Sequence, residues 1–218
     1  MRMRKKPNLI PRMERCARVQ IKNPEDYRGR WLTECGGFSG VQLELGCGKG
    51  RFTAETAAAM PEMLLVAVER VPEAMVVAME NVCGAEVENV RFLDMDAADL
   101  PEVFAPGEVR RIYINFCDPW PGRRHAGRRL TSGDFLALYR QTLCMGGEIH
   151  FKTDNAPLFD YSLTQLQKAG FRLSQVTKDL HKDGPQGIMT DYEAKFYSLG
   201  TPICRCVAHV TGGEDCGE

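Results

Sequence analysis

From residue 41 onward, short apolar runs alternate with stretches of helical periodicity, and this rhythm limits the possible folds more than any other feature of the chain. The runs at 41–46, 64–69, 90–96 and 110–116 read as strands, with helices at 52–60 and 72–83 between the first three. The pattern continues with a helix at 131–144, a strand at 148–153 and a helix at 156–170, and then two late strands at 172–177 and 192–200. Strands joined by crossover helices run parallel, which predicts an α/β fold with a largely parallel sheet covered by helices on both faces. Pro72 and Pro157 suit first-turn positions, Thr131 or Ser132 suits a cap, and Gly146 and Gly170 suit helix ends. The first 35 residues and the stretch 181–191 show no clear period and read as arms or loops. The expected organisation is a basic arm at 1–35, one α/β domain at 36–210 and a flexible tail at 211–218.

Composition narrows the class. The chain has 218 residues, enough for one hydrophobic core, and its 44% hydrophobic and 26% charged content excludes a disordered or fibrous chain. The longest apolar runs, 64–68 and 75–79, fall far short of the roughly 20 residues that span a bilayer. The N-terminus is basic, but charged residues stand where the apolar segment of a secretion signal would follow. The nine cysteines are scattered, and Cys204 and Cys206 match no common zinc or redox spacing. Reduced thiols in the cytoplasm are expected, with Cys47, Cys117 and Cys144 packing as small hydrophobes. His125, His150, His181 and His209 show no ligand spacing, so no metal is assigned.

The net charge of −1 conceals a strong asymmetry. Residues 1–30 hold ten Lys/Arg against three Asp/Glu, and residues 53–109 hold two against twelve. Residues 110–129 then carry Arg110, Arg111, Arg123, Arg124, Arg128 and Arg129 against Asp118 alone. Two basic patches framing an acidic middle point to a polyanionic partner.

In an open parallel sheet, ligands lie beyond the carboxyl ends of the strands. Glu44 lies in the first strand, and Glu69, Asp96, Asp118 and Asp154 end the second to fifth. Any one of these could be a turn or cap acid, but five on one edge call for a cationic or donor-rich ligand. The first strand runs into Gly46-x-Gly48-x-Gly50. A dinucleotide fingerprint would place its third glycine at position 51, where this chain has Arg51. Glu44 beside the loop disfavours a pyrophosphate and favours the sulfonium, ammonium and hydroxyls of S-adenosylmethionine. Glu69, 23 residues after Gly46, suits ribose hydroxyls, and Asp96 suits the adenine amino group.

The segment 115–121, NFCDPWP, stiffened by two prolines, leads from the fourth strand into the arginine cluster. At this point the chain resembles the bacterial tRNA (guanine-N7)-methyltransferases. LELGCGKG, the acid in AVER, the DPW loop with its RRH and RRL arginines, KTDN and TDYEAKF occur in that family's order, with RMRKKPN in front. The resemblance spans nearly the whole chain; the DPW–arginine and TDYEAKF blocks are specific, and the glycine loop is shared with most methyltransferases of this fold. It implies a seven-stranded Rossmann-like sheet, S-adenosylmethionine as donor (S-adenosylhomocysteine as product), and methylation of guanine N7 at position 46 of the tRNA variable loop. Carried over by motif, Glu44, Gly46, Gly48, Gly50, Glu69, Asp96 and Asp118 correspond to the donor site, with Asp118 the catalytic acid. Asp154 and Thr190, Asp191, Tyr192 and Glu193 correspond to substrate contacts. The family lysine two places after the DPW tryptophan is Gly122 here, so Arg123 or Arg124 is expected to replace it.

Guanine N7 has an exposed lone pair and no proton, so its methylation needs no general base. Asp118 is therefore expected to stabilise the growing purinium charge, and Asp154 and Glu193 to accept from guanine N1 and N2. Arg2, Arg4, Lys5 and Lys6, with Arg123, Arg124, Arg128 and Arg129, are assigned to phosphates. Trp120 and Tyr192 are candidates to stack on a flipped base. The expected partner is tRNA, with no membrane and no obligate protein partner, the protein being a monomer or homodimer. The rivals are a methyltransferase for small molecules or proteins, and an RNA-binding module that transfers nothing.

Overall fold

The computed structural model describes residues 6–211. Seven strands form one sheet: β1 (Gly40–Leu45), β2 (Met63–Val68), β3 (Val90–Leu93), β4 (Val109–Asn115), β5 (Leu143–Thr153), β6 (Phe171–Thr177) and β7 (Cys204–Val210). Their order is β3-β2-β1-β4-β5-β7-β6. The first five run parallel, and β7 is antiparallel to both β5 and β6. The strand period of two divides the apolar side chains between two cores. Leu43, Leu45, Val66, Ile112 and Ile114 pack with α5 (Leu100–Val103), α6 (Gly133–Thr142) and α7 (Ala156–Lys168). Leu65, Ala67, Phe92 and Tyr113 face α3 (Arg51–Ala59) and α4 (Pro72–Gly84). The expected sheet with helices on both faces is therefore present.

The stretch 192–200, expected as a strand, is instead α8 (Asp191–Ser198). Thr190 and Glu193 form a reciprocal capping box at its start, and this local signal outweighs the β propensity of Tyr192, Phe196 and Tyr197. The seventh strand lies further on, at β7. Gly146 does not end a helix: α6 stops at Thr142, and Gly146 lies inside β5 with φ 71°. Thr131 does not cap the helix, its hydroxyl lying 2.7 Å from that of Ser162, and Ser132 at the N-cap accepts no side-chain cap bond. Pro72 and Pro157 do occupy first turns.

Within the segment 1–35, α1 (Leu9–Arg15) docks on α4, where Arg12 Nε donates to Glu80 Oε1 at 2.8 Å. Trp31 opens α2 (Trp31–Cys35) and is wholly buried; its Nε1 donates to the Val103 carbonyl at 3.0 Å, and its ring stacks on Phe104 at 5.1 Å. Arg2, Arg4 and Lys5, and the tail beyond Thr211, lie outside the described residues. No helix among the described residues is long and apolar enough to cross a membrane.

Candidate active site

A cavity of about 690 Å³ opens at the carboxyl ends of β1, β2 and β4. Gly46 follows β1 with φ 77°, a conformation a side chain disfavours, and a Cβ there would meet nothing within 4 Å, so the space beside it is free for a ligand. Gly50 serves packing instead, since a Cβ would stand 2.6 Å from that of Ala78 on α4. Glu69 braces the loop: Gly48 N–H donates to its Oε2 at 3.0 Å and Val71 N–H to its Oε1 at 2.9 Å. Burial pushes the Glu69 carboxyl up, against the pull of those backbone donors.

Three of the five strand-end acids, Glu69, Asp96 and Asp118, line this one cavity. Asp96 accepts from Ala98 N–H at 3.1 Å and from Arg70 Nη1 at 3.2 Å. Glu44 is enclosed within β1 at 2% exposure, where Thr53 Oγ1 donates to its Oε2 at 2.6 Å. Burial, with the Glu69 charge adding a smaller push, carries its carboxyl up to about 7. Asp154 ends β5 on the exposed surface and is not part of the cavity wall.

The loop bearing Asp118 has bulky residues in left-handed conformations on either side, Phe116 at φ 53° and Trp120 at φ 40°. Such residues persist only where their surroundings enforce them. Phe116 N–H donates to the Lys152 carbonyl at 2.9 Å. Arg129 Nε donates to the Pro119 carbonyl at 3.1 Å, its Nη2 donates to that of Trp120 at 2.9 Å, and its guanidinium lies 4.3 Å over the Tyr161 ring. Arg128 lies 5.1 Å over Trp120. The arginine cluster thus divides: Arg123 and Arg124 are exposed, Arg128 is exposed at the cavity wall over Trp120, and Arg129 grips the loop.

The second substrate block gathers at the start of α8. Glu193 has 0% exposure, and both its oxygens are engaged. Lys152 Nζ reaches Oε1 at 2.9 Å and Oε2 at 3.0 Å, His181 Nε2 lies 3.0 Å from Oε1, and Thr190 N–H donates to Oε2 at 3.3 Å. No oxygen of Glu193 is left to meet a base directly. Gln186 N–H donates to His181 Nδ1, which leaves the proton on Nε2, facing Glu193. Burial lowers the Lys152 ammonium, with Glu193 holding it back up. Around this centre, Asp191 approaches Arg51 at 4.0 Å, and exposed Tyr192 stacks on Phe196, which in turn meets Phe116 at the cavity wall. Sequence reading passed over Lys152, Asn115, Phe116 and Phe196. Only Lys152 carried a signal, as a charged residue in a strand otherwise buried at that end.

This sheet order, with an acid-lined cavity beyond the first βα turn, defines a Rossmann-like methyltransferase. The protein family described as "Putative methyltransferase" matches residues 39–206. The tRNA (guanine-N(7)-)-methyltransferase of Bacillus subtilis (strain 168) is 44% identical over 206 residues, covering 94% of this chain and 97% of its own. That of Listeria innocua is 43% identical over 209 residues, covering 95% and 98%. The chain belongs to the tRNA (guanine-N7)-methyltransferase family. Among solved structures, a 16S rRNA (adenine(1408)-N(1))-methyltransferase from Catenulisporales acidiphilia, determined with its cosubstrate SAM, shares the fold with a TM-score of 0.63 at 15% identity, covering 89% and 94% of the two chains.

Proposed function

We propose that this protein methylates N7 of guanine at position 46 of the tRNA variable loop, with S-adenosylmethionine as the donor. The observation that carries the proposal is the convergence of Glu69, Asp96 and Asp118 on one cavity beside an arginine-bearing loop, in a chain 44% identical to a named enzyme along almost its whole length. The cavity fits the donor: three carboxylates, with Arg70 the one cation paired to them among the described residues, suit a ligand rich in donors and positive charge. The donor supplies a methyl group already activated on a positively charged sulfur. Gly46 leaves room for it, Glu69 accepts from ribose hydroxyls, Asp96 accepts from the adenine amino group, and Glu44, whose carboxyl titrates at about 7, lies enclosed behind the loop.

Asp118 holds its carboxylate where positive charge grows on the purine, and the rigid loop limits the motion it must freeze at the transition state. Asp154, exposed at the end of β5, accepts from guanine N1 and N2, and Thr190, Asp191 and Tyr192 contact the nucleotide from the start of α8. Glu193 works through Lys152, fixing α8 against β5. Arg123 and Arg124 meet phosphates at the rim, with Lys6 and the residues before it supplying further contacts. The test is incubation of unmodified tRNA with methyl-labelled donor, digestion to nucleosides and their identification. Label in 7-methylguanosine is expected; label in any other nucleoside, or none, refutes the reading.

A further inference from the structure

A second cavity, of about 300 Å³, lies between α3, β4, β5 and the loop before α8, and among its lining residues only Asn115 also lines the first. Its lining includes the aromatic side chains Phe52, Tyr113 and His150, which meet one another edge to face. Thr56 Oγ1 and Asn115 Nδ2 also belong to its lining residues. They are two of the three buried side-chain polar atoms with no hydrogen-bond partner among the described residues; the third, Tyr139 OH, sits in the apolar core. Asn115 faces the Glu44 carboxyl, which draws on its side chain, so the Thr56 hydroxyl is the orphan group proper to this cavity. An unsatisfied hydroxyl beside the cavity points to a missing polar partner, because burying it unpaired costs stability.

The charge of the cavity gives the sign of that partner. Lys152 and Arg205 are register partners on the antiparallel strands β5 and β7, and both line the cavity. Like charges directly opposite one another repel. Glu193 and the Ile188 carbonyl occupy the Lys152 ammonium, whereas Arg205 forms no ion pair among the described residues. An anion on Arg205 would relieve the repulsion, and a guanidinium fork matches a phosphate in shape.

The geometry points to a nucleotide in this second cavity, with its phosphate on Arg205, its ring beside Phe52 and Tyr113, and its polar edge on Thr56. The inference rests on the first cavity being the donor site, which leaves the second free. The ligand is either a nucleotide of the bound RNA or a free one; the chemistry is shared, and the test separates them.

Protein saturated with S-adenosylhomocysteine is titrated by calorimetry with guanosine 5′-monophosphate, with guanosine and with inorganic phosphate. Saturable 1:1 binding of the monophosphate is expected. It should weaken at least about tenfold in Arg205→Gln, through loss of one charge-assisted contact, and a few-fold in Thr56→Val, which keeps the shape and removes the hydroxyl. Guanosine should bind more weakly than the monophosphate. Displacement of the monophosphate by unmodified tRNA assigns the site to a nucleotide of the RNA, and simultaneous binding assigns it to a free one. No saturable binding, or equal affinity in Arg205→Gln, overturns the inference. The heat of S-adenosylhomocysteine binding is recorded separately: its absence strikes at the donor site, and its presence without nucleotide binding strikes at this inference alone.

Discussion

Lys152 and Glu193 form a buried ion pair that ties the end of β5 to the start of α8, with Nζ 2.9 Å and 3.0 Å from the two carboxylate oxygens. Their side chains are 10% and 0% exposed, so neither charge can turn to water if the other is removed. Lys152→Met or Glu193→Gln alone should each destabilise the protein by about 3 kcal/mol, and the double variant by clearly less than the sum. Denaturant unfolding of the four proteins measures this. Strict additivity would show that the two charges are not coupled.

Asp118 lies within a loop between Phe116 and Trp120, both held in left-handed conformations, an arrangement suited to a fixed charge. Asp118→Asn keeps the shape and removes that charge. The turnover number with tRNA should fall about a hundredfold, with tRNA affinity little changed. A turnover number within about threefold of the parent would remove the electrostatic role.

Arg129 and the pair Arg123 and Arg124 belong to one charge cluster in the sequence yet stand differently in the fold, Arg129 bonded to the loop and the pair exposed. Arg129→Lys loses the two-carbonyl grip on Pro119 and Trp120. It should lower both turnover and melting temperature while leaving the salt dependence of tRNA binding unchanged. Replacing Arg123 and Arg124 together by Gln should flatten the plot of log affinity against log salt by about one to two units, with melting unaffected. A slope change in Arg129→Lys, with none in the double variant, would reverse the two assignments.

The limits of sequence reading follow the same division. The βαβ rhythm was legible because β1 and β2 are buried along their whole length and leave uninterrupted apolar runs. Glu69, Asp96 and Asp118 were legible because acids at strand ends have a topological address. α8 was misread because Tyr192, Phe196 and Tyr197 look like strand residues, and its only helical signature was a capping box four residues long. Glu193 looked like a free carboxylate because its partner, Lys152, is 41 positions away and approaches only through the pairing of β5 with β7. The separation of Arg129 from Arg123 depends likewise on where Tyr161 of α7 falls, which no local window contains.

Glu44 makes the protein sensitive to pH in a direction that can be worked out. Its carboxyl titrates at about 7 in the fold, raised chiefly by burial. The folded state therefore keeps a proton that the unfolded chain gives up at lower pH. The stability this provides is complete below the ordinary glutamate range and is lost as pH rises through about 7, a loss of up to about 3 kcal/mol by pH 8.5. Glu69, also raised, acts in the same direction. Glu44→Gln stays neutral and can still accept from Thr53, so its melting temperature should fall between pH 5.5 and 8.5 by about 6 °C less than the parent's. Binding of the cationic donor runs the opposite way, because it gains from the ionised form. S-adenosylmethionine should bind the parent more tightly as pH rises through about 7 and bind Glu44→Gln with a flatter profile, while uncharged-sulfur S-adenosylhomocysteine should show little difference between the two proteins. Melting curves and donor titrations across that range test both halves, and parallel melting profiles for the two proteins would show that Glu44 is already ionised at pH 5.5.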